Sequence, residues 1–538
     1  MRAWSMLALL VLASCNPSPS APAPGVPSVL GEVTIRRIEW GQSVLRADLR
    51  LVSGKPALLR VHLIGDRAGL PGTIRGEVFR GSSRLGALEF GGPSTLPTSI
   101  NTADLSQTYR ATVPSNWVVA GMEVRLMADP DNQIGESNET DNRETLRPAV
   151  GAGTVLPLTL VPVLQPGQTS QPTLPGVDML REMLPVRDVQ AQTRAPFSYG
   201  STLTNASSDW SSLLSALRSL RTSDGSSRYY YGVVRVSYSS GIAGIGYVGF
   251  PVSAGWDFSS SAARIMVHEI GHNLGQGHAP CNVAGDPGFP YPDGSIGTWG
   301  YSLASGTLFN PAQYKDVMSY CTPQWISDFM YQRMQSFLET RPPSTQAQNL
   351  GVPQEVLLLS GRIRDGLVEL NPILKLQAVP ELPRPGAYRL RLDAAGGVVD
   401  VSFQTERVLA PHGPGQPPSE SWSEEHFSFS LPNPGVVQGL EITLAGRQIF
   451  QRTAELRVQS QGASHVGLLE RGDTIILSWI NSAYPYASVA HLGRQRTTLG
   501  LWLQGGGATL STEGLEAGGR LEVVLSDGVN AIRQEFGR

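Results

Sequence analysis

Three of the eight histidines of this 538-residue chain stand close together in the stretch VHEIGHNLGQGH, residues 267–278. On a helix, residues four apart lie one above the other on the same face. His268 and His272 can therefore face one metal ion together. Glu269, on the adjoining flank, can reach a water on that ion without competing for the metal. A third ligand three residues past Gly275 cannot lie on the same straight helix, so the chain must turn sharply there. Glycine takes positive φ without steric cost, which makes Gly275 the hinge that delivers His278. Three neutral imidazoles with an open fourth position make a catalytic site for one zinc ion, because zinc prefers four ligands and lowers the pKa of its bound water to about 7. The chemistry this pattern predicts is hydrolysis by an activated water, with Glu269 as general base.

The elements that must hold these residues are legible around them. Residues 154–165, TVLPLTLVPVLQ, read as a buried strand, and DMLREML after them as a helix. In SDWSSLLSALRSLR, Leu213, Leu214, Leu217 and Leu220 follow helical spacing behind a cap at Ser208 or Asp209, and RYYYGVVRVSY is strand-like. A glycine-rich strand, residues 241–250, precedes the motif helix. A last helix is expected to start at Thr322-Pro323, with Ile326, Met330, Met334 and Phe337 on one side. This alternation predicts an α/β domain over 154–345. Around it the pattern is short alternating runs with Gly, Pro and Ser punctuation, predicting β-sandwiches at 31–149, 354–460 and, smaller, 464–538. The expected fold class is thus multidomain, α/β plus all-β, with an α/β catalytic domain flanked by immunoglobulin-like sandwiches.

The string HExxHxxGxxH, followed at a suitable distance by Asp316-Val317-Met318-Ser319-Tyr320-Cys321, resembles the metzincin zinc endopeptidases. The resemblance covers about residues 154–341. It implies that Met318 forms an apolar, polarizable floor under the imidazoles. It also implies that Tyr320 is a zinc ligand or a donor to the tetrahedral oxyanion. The glycine-rich strand is similar to the metzincin edge strand that receives substrate, with Gly241, Ala243 and Gly244 keeping the approach clear. Ala279, directly after the third histidine, matches none of the best-known subfamilies. The loop 280–300 is expected to shape the primed side of the cleft. Residues 129–142, DPDNQIGESNETDN, resemble the closing hairpin of the CARDB-type adhesion modules of bacterial surface proteins. These readings imply a polypeptide or glycoprotein substrate; the alternative is a surface adhesion protein whose zinc domain is structural or degenerate.

A net charge of −3, with acids and bases interspersed, points away from nucleic acid and anionic membrane surfaces as partners. The chain opens MRAWSMLALLVLASC, one basic residue and a short apolar run, which reads as a signal peptide over 1–15. Its end resembles a lipobox, implying a lipid on Cys15, with residues 16–30 as a Pro/Ser-rich tether. The expected location is the bacterial cell envelope or outside it, with the lipid as the one membrane contact; oligomeric state is left open. The two other cysteines, Cys281 and Cys321, are expected to pair in an exported protein. Acidic residues in 129–142, and Asp286 and Asp293, could hold calcium, but turn formation explains them. His412, His426, His465 and His491 read as surface or partner-bonded residues, and Arg471-Gly472-Asp473 as a strand-entry turn.

Overall fold

The computed structural model describes residues 28–343, 352–409, 424–454 and 465–538. Cys15, the signal segment, most of the tether and His412 lie outside them. Strands make up 44% and helices 11%, so the chain is largely all-β, with several sheets. Among the described residues no helix is long and apolar enough to cross a membrane.

The chain divides into two compact units. The first takes residues 1–38, 60–111 and 123–146. Its four-stranded sheet runs in the order Arg143–Leu146, Met122–Ala128, Ile74–Arg80, Ser83–Leu88. Along MEVRLMA the buried positions alternate, with Val124, Leu126 and Ala128 inward, as a half-buried strand requires. In the turn that follows, the Asp129 carboxylate accepts from the backbone N–H of Gln133 at 3.0 Å and of Ile134 at 2.7 Å. That carboxylate closes an Asx-type turn.

The second unit takes residues 39–59, 112–122 and 147–538. Its spine is a ten-stranded sheet. Val155–Leu164, buried over eight consecutive residues, pairs in parallel with Asp188–Thr193, Phe197–Ser198 and Tyr229–Val234. Tyr229–Val234 pairs in parallel with Val252–Trp256, and Gly244–Gly246 closes that side antiparallel to Val252–Trp256. Near-continuous apolar strands of this kind need cover on both faces. Helix α1, Asp178–Met183, follows the first of these strands, and on one side the cover is α2, Ser207–Ser223, which buries Trp210, Leu213, Leu214, Leu217 and Leu220. Two helix starts differ from expectation. Helix α2 begins at Ser207 after Ala206 with no side-chain cap, because Asp209 instead accepts from the Thr204 N–H and hydroxyl. The closing helix, α4, runs Asp328–Thr340 and is capped by Ser327, whose hydroxyl accepts from Met330 N; Gln324–Trp325, expected inside it, forms a strand with Lys315–Asp316.

Past Phe197–Ser198 the sheet continues into strands from far along the chain. Ser198 pairs with Gly500 of Arg496–Leu503, followed by Tyr486–Leu492, Arg520–Ser526 and Ala531–Gly537. Residues 354–409 and 424–454 form two facing sheets around Leu357, Leu359, Phe403, Phe427, Phe429 and Ile442. A buried polar knot joins this sandwich to α2. Ser211 Oγ and His426 Nε2 both meet Glu424 Oε1, and Tyr247 Oη contacts His426 Nδ1. Burial pushes the Glu424 carboxyl up, but the bonds from His426, Ser211 and Arg364 outweigh it and bring it down to about 2. A carboxylate depressed from 4.5 stabilises the fold above 4.5 and loses that contribution as pH falls toward 2, here worth about 3 kcal/mol. Melting temperature is therefore expected to drop across that window, and Glu424→Gln should flatten the drop; equal slopes for both chains would refute this.

Candidate active site

Helix α3, Ala262–Asn273, carries His268, Glu269 and His272, all buried. Beyond it Gly275 takes φ +80°, its N–H bonds to His272 O, and the Gln276 N–H bonds back to Gly271 O. This glycine-capped helix end sends the chain to His278. The ligand atoms of His268, His272 and His278 lie within 4.8 Å of one another, and among the described residues this is the one such cluster. His268 Nδ1 donates to Val317 O at 2.8 Å and His272 Nδ1 to Gln276 O at 2.7 Å. Each neutral ring then has its lone pair on Nε2, the tautomer that a metal ligand needs, set by its outer partner. The donor set fits a zinc ion.

Glu269 is 5% exposed, and burial pushes its carboxyl well above the usual range. Its carboxylate lies against the edge strand: a Cβ on Gly244 would come within 2.5 Å of Glu269 Oε1. Glycine is required there because the carboxylate occupies the space. Gly244–Gly246 ends the sheet, and Ala243 extends its pairing through Trp256 N–H to Ala243 O at 2.9 Å. Gly241 precedes the strand at φ +103° beside Asn205.

Met318 is fully buried under α3, and a Cβ on Gly271 would lie 2.3 Å from its sulfur. The turn around it is built by Asp316, whose carboxylate accepts from Met318 N and Ser327 N, each at 2.7 Å. Burial pushes the Asp316 carboxyl up to about 6. Asp316→Ala leaves both buried N–H groups unpaired, at ~1–3 kcal/mol each, so chemical denaturation should show a loss of roughly 2–6 kcal/mol. Tyr320 Oη lies 3.4 Å from His278 Nε2. Burial, then the charge of Glu269, pushes its phenol up, so it stays protonated and can donate.

Cys281 and Cys321 form a disulfide that ties the segment after His278 to the end of this turn. Asp286 and Asp293, considered for calcium, pair with Arg333 at 2.8 Å and Lys315 at 2.7 Å. His426 and His491 are buried and hydrogen-bonded. Sequence reasoning missed four contributors. Asp316 could have been found as an Asx residue two positions before Met318. Arg264, one turn ahead of His268 on α3, lines the cleft beside it. Ser43, which accepts from the Trp325 indole at 2.7 Å and pairs with Tyr301, and Leu409, which lines the recess over the histidines, come from distant segments with no local signal.

Residues 210–336 match the Peptidase M66 family, and they hold every residue of this site except Ser43 and Leu409. The match supports a peptidase. No curated protein matches the chain. Among solved structures, one described as "Biofilm associated protein - BSP domain" is similar at 9% identity over 98% of this chain and 99% of that one, with a TM-score of 0.12, which carries no argument.

Proposed function

We propose that this chain is a zinc-dependent endopeptidase of metzincin type, cleaving extracellular polypeptides or glycoproteins. The observation that carries the reading is the convergence of three buried imidazoles beside a buried carboxylate and the edge strand Gly244–Gly246. His268, His272 and His278 would hold the ion, which when bound supplies Lewis acidity toward a substrate carbonyl and acidifies water. Glu269 takes the proton of the attacking water and passes it to the leaving amine. The Tyr320 phenol donates to the developing oxyanion. Ala243 and Gly244 offer backbone groups on which an extended peptide adds as a further strand. The amino-terminal segment would export the chain and anchor it through Cys15, and the flanking sandwiches would present the catalytic domain or dock it on its substrate.

The test is a purified chain lacking the signal segment, incubated with a mixed pool of unfolded proteins and glycoproteins. Cleavage is expected, abolished by chelator and restored by added zinc. A chain that binds zinc and glycoprotein yet cuts nothing would favour the adhesion reading instead.

A further inference from the structure

Beside Glu269 and His268 opens a cavity of about 280 Å³. Its apolar walls are Trp256, Ile265 and Ala243, and its polar side holds Arg264, Gln324, Ser239 and Ser240. Arg264 is placed by a short relay: its Nη1 donates to Gln324 Oε1 at 2.5 Å, and Gln324 Nε2 donates to Ser319 O at 2.6 Å. That relay uses one of five guanidinium N–H groups. No carboxylate pairs with Arg264 among the described residues, whereas Arg194, Arg218 and Arg496 each have one. Burial lowers its pKa with no acidic neighbour to raise it again.

A partly buried cation with unspent donors, facing a cavity at the reacting end of a cleft, is matched by an anion from outside. A peptide added along Ala243 and Gly244 would direct alternate side chains to one face of the sheet, and the cavity would take one of them. Resting on the endopeptidase reading, we propose that Arg264 is a specificity-determining residue that selects an aspartate or glutamate side chain of the substrate beside the scissile bond. The methylenes of that side chain lie along Trp256 and Ile265, and its carboxylate meets the Arg264 fork.

The test uses unglycosylated quenched peptides that differ only in Glu, Gln or Leu at one position flanking the cleaved bond. The wild-type chain is expected to prefer Glu over Gln by about tenfold or more in kcat/KM, the size of one charge-assisted contact. Arg264→Gln should bring that ratio to about one, and Arg264→Lys should keep part of it. Calorimetric binding of the same peptides to a Glu269→Gln chain supplies a readout without turnover, with the same Glu-over-Gln ratio expected. Equal affinities and equal kcat/KM for Glu and Gln overturn the proposal, as does a preference seen only when the acid sits on a sugar. Absence of any zinc-dependent cleavage, with the affinity ratio intact, would instead fault the endopeptidase reading and leave the acidic-ligand site standing.

Discussion

Glu269→Gln is expected to lower kcat/KM by about 10²- to 10⁴-fold, the range that one positioned acid–base group contributes. The amide has nearly the same shape, so it keeps its place between α3 and Gly244, and the three histidines are untouched. Zinc content should therefore stay at one per chain. Stability should hold or rise, because the carboxyl that burial pushes well above its usual range is replaced by a group with no charge to desolvate. Atomic absorption, thermal melting and peptide hydrolysis on the same preparation check all three expectations. Full activity with intact zinc would remove Glu269 from the chemistry.

His272→Ala is expected to take zinc from one per chain to none and activity down on the order of a thousandfold or more, the loss that follows when several kcal/mol of metal assistance disappears. A second signature comes from linkage. An ion that binds only the folded state stabilises it by about 4 kcal/mol at a thousandfold excess over its Kd. The wild-type melting temperature should thus fall on adding chelator, while that of His272→Ala should not move. A variant that still binds zinc stoichiometrically would break the three-histidine assignment.

Much of the site could be read from residues alone because its parts are local. His268, Glu269 and His272 need only one helix, and Gly275 needs only one turn, so spacing carries their geometry. Helix starts were less legible: Asp209 looks like a cap, yet its carboxylate reaches back to Thr204. Proline after Thr322 looks like a first helical residue, yet Gln324–Trp325 finds a strand partner first. Pairings between distant segments leave no local mark. Nothing near Ser43 announces that its carbonyl will receive the Trp325 indole, nor does the apolar run around Leu499 say which sheet it joins. Alternation reveals that a strand has a buried face, and leaves its neighbour undetermined.

The pairing of Ser198 with Gly500 has a consequence in time. Contacts that span some three hundred residues form only after both ends exist, and such long loops close late and slowly. While the chain is being made, the sheet that carries the histidine helix has no neighbour on its far side until Arg496–Leu503 has left the ribosome.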